Sequence, residues 1–232
     1  MRERPILFKG DMVRAILDGR KTQTRRLLGL PEDWSVIDPD INQPVLGMIT
    51  SKHPKQGKFG VFITKESNGF RERDIVVCPY GKPGDRIWVR ENYRPYVDEN
   101  GVSTIQYQAD LSQIEIENTE EAANRWMDLR RPEEQWPEMR EPKWRPSIHM
   151  PRLASRITLE IVSVRVERLQ DISEEDAKAE GVVGEQEAAA AGLEWYDKPR
   201  RAFLFLWQSI NGPESWDANP WVWVVEFKRV SA

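Results

Sequence analysis

Cysteine occurs once in the chain, at Cys78, and histidine twice, at His53 and His149. A single thiol excludes an internal disulfide and a zinc site built on cysteines. Two histidines leave little for an imidazole metal centre, so neither a metal nor an organic cofactor is expected. No apolar run approaches the roughly 20 residues needed to span a bilayer, so no membrane partner is expected. The opening MRERPILFKG has charge but no long apolar segment and no small-residue cleavage site, and no signal peptide is expected. These absences fit a cytoplasmic protein. A basic excess is lacking too. The formal net charge is −4, whereas a protein that binds nucleic acid along a whole face usually carries a positive one. Any such contact must be local.

What is present is enough for a core. Of the 232 residues, 39% are hydrophobic and 31% charged, a globular composition that one domain of residues 1–232 can fold around. The ten tryptophans sit mostly in the second half, beside arginine and proline.

Taken in order, residues 4–9 (RPILFK) read as a strand and 11–18 as a helix. Asp11 is placed to cap that helix, Met12, Ala15 and Ile16 share a face, and Gly19 stands where a left-handed stop is wanted. Residues 29–60, rich in Pro, Gly, Asn and Asp, read as an excursion with one hairpin rather than as core. Val61–Thr64 and Asp74–Cys78 read as strands around Ser67-Asn68-Gly69. Strands are also expected at 86–90 and 101–108, and helix over 111–130 with a break near Asn118. Residues 131–152 hold too many prolines for a regular element. An ordered functional loop is expected there, one whose tryptophans and arginines wall the same pocket as the basic turn described next. Residues 155–170 carry the longest strand pattern. Helix follows at 172–180, with Ser173 as N-cap and Gly181 as stop, weakly at 184–196, and again at 199–210. Trp221–Phe227 is a final strand. Strands dominate without βαβ alternation. That predicts an α+β fold: a mostly antiparallel barrel with short helices packed outside. Two long insertions, at about 29–80 and 109–150, would decorate it.

Chemistry concentrates after Gly19. Arg20 to Arg26 holds four cations and two hydroxyls in seven residues. A threonine such as Thr24 becomes a nucleophile only if a base takes its proton. Lys21 is such a base only when neutral, which burial and the neighbouring Arg20, Arg25 and Arg26 favour. The alternative is a solvated basic strand edge. Residues three apart in a regular strand face opposite ways, so Lys21 and Thr24 meet only if the turn distorts the stretch. Glu180, at the end of its helix, opposes the helix dipole where a cation would be comfortable. It shares a face with Ala177, and an inward Glu180 requires a cation such as Lys21; otherwise it is an exposed glutamate. Further along, Glu91 and Tyr93 end a strand. Lys143, Trp144, Arg145, His149, Arg152 and Arg156 form a basic, aromatic segment suited to stacking on bases and contacting phosphate, or to plugging the fold as a structural loop. His149 alone reads as structural.

Gly19-Arg20-Lys21-Thr22-Gln23-Thr24-Arg25-Arg26 resembles the ASCH-domain signature Gly-x-Lys-x-x-Glu-x-Arg, matching at Gly19, Lys21 and Arg26 and departing at Thr24. The same departure marks the small bacterial ASCH proteins that act as N(4)-acetylcytidine amidohydrolases. GDRIWVRENY, MPRLASRITLEIVSVRVERLQDISEEDAKAEGV and NPWVWVVEFK make the whole chain similar to the longer prophage-encoded ASCH proteins. The resemblance implies a PUA-like β-barrel and RNA or a modified nucleoside as partner. It also implies a catalytic set of Lys21, Thr24 and Glu180 that needs no metal. Arg25, Arg26, Glu91, Tyr93, Trp144, Arg145, His149 and Arg152 are the candidate substrate-binding residues. The functions to be separated are an amidohydrolase acting on an acylated cytidine-type base, a non-catalytic RNA-binding module, and a ribonuclease using Lys21 with His149. Glu180 discriminates the first two: amide hydrolysis needs it beside Lys21, whereas phosphate binding is weakened by a carboxylate there.

Overall fold

Strands with short helices between them make up the computed structural model of the protein, which describes residues 3–38, 40–97, 100–116, 119–130, 143–182 and 198–230. In chain order come β1 (Glu3–Leu7), α1 (Gly10–Leu17), β2 (Gln23–Leu27), β3 (Ile37–Asp38), β4 (Gln43–Pro44), β5 (Leu46–Met48), β6 (Phe59–Ser67) and β7 (Phe70–Val77). Then follow β8 (Arg86–Arg90), β9 (Tyr93–Val97), β10 (Ser103–Tyr107), β11 (Gln113–Glu115), α2 (Glu120–Arg130), β12 (Thr158–Arg168), α3 (Glu174–Ala179), α4 (Pro199–Asn211) and β13 (Trp221–Val230). The class is α+β with strands predominant. Among the described residues every sheet has two edge strands, so none closes on itself.

These elements fall into two compact units, one holding Gly19–Arg86 and Glu160–Lys228, the other Glu3–Asp18 and Ile87–Leu159. In the first unit β13 lies between β12 and β2, with β2 antiparallel to it from Gln23↔Glu226 to Leu27↔Val222. The same unit has a second sheet in which β6 is central. Its partner β7 is joined through Asn68 and Gly69, whose φ values of 51° and 78° are those of a two-residue type I′ turn, the hairpin connection that matches strand twist. The core beside β13 is Leu169, Ile172, Ala177, Phe203, Trp207, Trp216, Val222 and Val224. It buries one face of α4 through Phe203 and Trp207, while Ile210 stays 37% exposed. In the second unit β10 lies between β9 and β11. Tyr93, Ile105, Tyr107, Trp126, Met150 and Ala154 form its core.

Several expectations need correction. Lys9, not Asp11, is the N-cap of α1, and Asp11 sits in the first turn, where its charge still favours the helix dipole. Residues 113–115 are a strand rather than helix, because Thr104, Ile105 and Gln106 offer them a ladder. β9 was not among the expected strands; its Pro95 is tolerated because β9 is the last strand of its sheet, carrying beyond β10 the isolated Tyr93–Arg145 bridge. The 29–60 excursion does contain a hairpin, β3–β4, yet it also supplies core residues, Val36 and Ile49. Residues 184–196 and 131–142 lie outside the described residues.

Gly60 in β6 is fixed by space rather than by φ. It pairs with Gly47 and Val77, and a Cβ there would collide with the Val76 carbonyl oxygen and stand 2.9 Å from Val77 Cα. Backbone cannot yield as a flexible side chain would. Gly60→Ala is therefore expected to cost about 1–3 kcal/mol, the usual range for overpacking. Urea denaturation of the variant checks this, and an unchanged midpoint would show that the strands separate freely.

Candidate functional site

The basic turn is built by a change of strand partner. After α1, Gly19 takes φ +75°, a conformation that residues with a Cβ adopt reluctantly. Lys21 then forms an isolated antiparallel bridge with Glu180. At Thr22 the chain divides its loyalties: its N–H donates to Ala179 O at 2.9 Å, and its carbonyl accepts from Phe227 N at 2.8 Å. From Gln23 onward the partner is β13. The change of partner distorts the stretch at Thr22.

Glu180 is delivered by α3. Ser173 caps that helix, its Oγ accepting from Asp176 N at 3.0 Å. Glu180 occupies the C-cap, and both it and Ala177 are buried, as their shared face predicts. The dipole penalty of a carboxylate at a helix C-terminus is met by cations.

Lys21 Nζ donates to Glu180 Oε2 at 2.7 Å, to Glu180 O at 2.8 Å and to Gln23 O at 2.8 Å. The two side chains are 0% and 3% exposed. Arg25, also fully buried, donates from Nη1 to Glu180 Oε1 at 3.3 Å, from Nε to Glu167 Oε1 at 3.1 Å and from Nη2 to Asp176 Oδ2 at 2.8 Å. Its guanidinium lies 5.8 Å from the Phe203 ring centre. Arg165 extends the network toward solvent, donating to Glu167 Oε2 at 3.0 Å and Asp176 Oδ2 at 2.6 Å and pairing with Glu226. The Gln23 amide joins in the orientation that satisfies both its ends, with nitrogen 3.3 Å from Asp176 Oδ1 and oxygen 2.6 Å from Arg25 Nη1.

Burial holds the Lys21 ammonium below its ordinary pKa of 10.5; Glu180 opposes that shift, and Arg26 and Arg25 add to it. Burial pushes the Asp176 carboxyl up, but Arg165 and Arg25 outweigh it and leave its pKa lowered. The cluster thus combines a lysine held below its ordinary pKa with a carboxylate in direct contact, an arrangement able to move a proton.

Thr24 is buried and pairs with Val225 of β13. The strand pleat sends it to the face opposite Gln23 and Arg25. Arg26 is half-buried.

The remaining predicted binding residues belong to the second unit. Glu91 is buried and gripped by Arg156, whose Nε and Nη2 each lie 2.8 Å from a carboxylate oxygen. Arg156 also reaches Asp110 Oδ2 at 2.8 Å and lies 4.1 Å from the Tyr107 ring centre. Burial raises the Glu91 pKa against the pull of Arg156. Tyr93 donates through its hydroxyl to His149 O at 3.1 Å and bridges Arg145 through the backbone. The guanidinium of Arg94 covers the Trp144 ring at 4.5 Å. His149 and Arg152 are exposed, and Arg152 pairs with Glu3 at 2.8 Å.

The sequence reading missed Arg165, Glu167 and Asp176. A signal existed for two of them. Leu159 and Ile161 are buried on the odd-numbered face of β12, and Arg165 and Glu167 continue that face. Charges prolonging a buried apolar stripe require partners. Asp176 looked like ordinary first-turn helix charge. Among the described residues no three His, Cys, Asp or Glu side chains converge on a metal-sized site. No described helix is long and apolar enough to cross a membrane. No family model, curated protein or solved structure matches the chain.

Removing one partner of a buried ion pair strands the other charge, at a cost of about 3–5 kcal/mol, whereas replacing both with apolar residues is often neutral or better. Glu180→Leu is expected to lose stability in that range. Lys21→Met with Glu180→Leu is expected to recover most of it. Chemical denaturation of the three proteins checks the cycle; a single variant as stable as the parent would contradict the pairing.

Proposed function

We propose that the chain is an ASCH-type protein that takes RNA or a modified nucleoside and hydrolyses the amide of an acylated cytidine-type base. Its open antiparallel sheets would belong to a PUA-like barrel carrying the insertions at 29–80 and 109–150. The observation that supports this reading most is the 2.7 Å contact between Lys21 Nζ and Glu180 Oε2 in a buried setting. A buried ion pair is a poor stabiliser compared with apolar packing. A lysine held below its ordinary pKa beside a carboxylate is the kind of perturbed pair that marks functional sites.

In this proposal neutral Lys21 takes the proton of Thr24 Oγ1 as that oxygen attacks the acyl carbonyl carbon. The C–N bond to the base breaks, and the Lys21 ammonium returns the proton to the departing amine. Water, deprotonated by Lys21, then attacks the Thr24 ester and releases the carboxylic acid and free Thr24. Glu180 orients Lys21 and stabilises its charged form between the steps. Arg25 holds the other Glu180 oxygen, its Nη1 donating to Oε1 at 3.3 Å. Because Lys21 is fully buried, the mechanism requires its contacts to open as substrate enters.

A second reading has its own support. All three Lys21 protons meet protein acceptors, and the pleat turns Thr24 to the other face. Both features suit a structural clamp in a non-catalytic RNA-binding protein.

The readings part under one assay, release of acetate and cytidine from N(4)-acetylcytidine by the purified protein. Hydrolysis should rise with pH through a Lys21 pKa below 10.5, since the neutral amine is the active form. Lys21→Arg stays charged at accessible pH, and loss of the base should cost roughly a hundredfold or more. Thr24→Val should do the same. Undiminished hydrolysis by Lys21→Arg would overturn the mechanism. Absence of turnover, with RNA affinity kept in Lys21→Arg and lost in a salt-dependent way in Lys21→Ala, would establish the binding module instead.

A further inference from the structure

The 29–80 segment holds a pocket that the Lys21 cluster does not use. It has a volume of about 260 Å³, and its polar lining is Asp38, Ser51, His53, Thr64, Arg73 and Asp74. Ligand sites generally start near ~300 Å³, with apolar walls and a few placed polar groups, so this one suits a single ring system. Val45, Ile49, Phe62, Ile63 and Ile75 supply the apolar wall.

Three features define what fits. Phe62 is 37% exposed, and its ring rests against Gly47, where an added Cβ would come within 3.2 Å of Cε2. A ring seated on one side and exposed in part is a stacking surface. His53 has one tautomer when neutral. Its Nδ1 accepts from the Lys55 backbone N–H at 3.0 Å, so the proton sits on Nε2, which lies 3.8 Å from Asp74 Oδ1, beyond hydrogen-bond range. Asp74 is already satisfied by Lys55 Nζ at 2.8 and 2.9 Å. Asp38 Oδ1 accepts from Asp40 N at 2.9 Å, while among the described residues its second oxygen takes no hydrogen bond. Arg73 is drawn to Asp40 at 3.4 Å, and the Ser51 and Thr64 hydroxyls can turn to donate or to accept, so the groups of fixed polarity left to a ligand beside the aromatic wall are the His53 Nε2–H and the Asp38 carboxylate.

We infer that this pocket binds a heteroaromatic base bearing an amino group beside a ring nitrogen, the edge presented by cytosine and adenine but not by uracil. The ring stacks on Phe62, Asp38 accepts from the amino group, and His53 Nε2–H donates to the ring nitrogen. The inference rests on the functional reading above for its choice of nucleobases, and it adds a second base site to that reading.

Calorimetric titration of the full chain with cytidine, adenosine and uridine tests it, using the Thr24→Val protein so that no chemistry intervenes. Cytidine and adenosine should bind at millimolar concentration or better, with uridine weaker by about tenfold, since a carbonyl facing Asp38 leaves the carboxylate unpaired. Asp38→Ala should weaken cytidine by a similar factor. Gly47→Ala, which displaces Phe62 while leaving every polar group, should weaken all three nucleosides together; circular dichroism confirms that each variant is folded. Equal affinity for cytidine and uridine, or cytidine binding unchanged in folded Asp38→Ala and Gly47→Ala, overturns the inference. Cytidine binding lost in Lys21→Ala but kept in Asp38→Ala places the base at the Lys21 cluster, overturning this pocket while sparing the functional reading. Loss in Asp38→Ala with hydrolysis absent everywhere sustains the pocket and overturns the mechanism.

Discussion

The fastening of Lys21 to Glu180 is the constraint on which the first unit depends. It is made twice, once by backbone and once by side chain. The backbone bridge, with Thr22 N–H on Ala179 O, ties the chain after α1 to the end of α3. The side-chain contact puts an ammonium where the helix C-terminus needs one. Together they release the chain at Thr22 to join β13. Without the bridge, β2 has no reason to start at Gln23. Without the ammonium, Glu180 keeps only the longer Arg25 contact, at 3.3 Å, among the side-chain contacts described above.

Arg25 makes this arrangement tolerable in an interior. Its guanidinium links Glu180 to Glu167 and Asp176, and Arg165 carries the chain of charges from Asp176 and Glu167 to Glu226 near the surface. Planar, permanently charged guanidinium suits this role better than a second lysine, which would surrender its proton on burial. The division of labour is physical: the arginines hold charge fixed, leaving Lys21 as the cation of the cluster held below its ordinary pKa.

Much of this was legible in the sequence because it is local. Gly19 as a stop and Ser173 as a cap follow from helix-end chemistry, and the face shared with Ala177 made an inward Glu180 one of two readings. The Asn68-Gly69 hairpin follows from turn chemistry. What escaped required knowledge of partners. β9 carries a proline that only its edge position excuses, and β11 is a strand because β10 lies beside it. Asp176 is indistinguishable from solvated first-turn charge until Arg25 and Arg165 are placed. Strand geometry called for a break only if Lys21 and Thr24 were to meet; the cause of the one at Thr22, a change of partner from α3 to β13, is tertiary. The ASCH resemblance pointed to Lys21 and Glu180 together; Arg25 as the group between Glu180 and the other carboxylates was visible only in three dimensions.

Lys21 is buried, held by Glu180 and lowered in pKa. Nuclear magnetic resonance titration of the lysine side chains, with Lys21 assigned by its absence in Lys21→Arg, measures that directly. The account predicts a Lys21 signal titrating below the ordinary 10.5, and titrating lower still in Glu180→Gln, where the charge that favours the ammonium is gone. A Lys21 that titrates with the surface lysines, unmoved by Glu180→Gln, would contradict it.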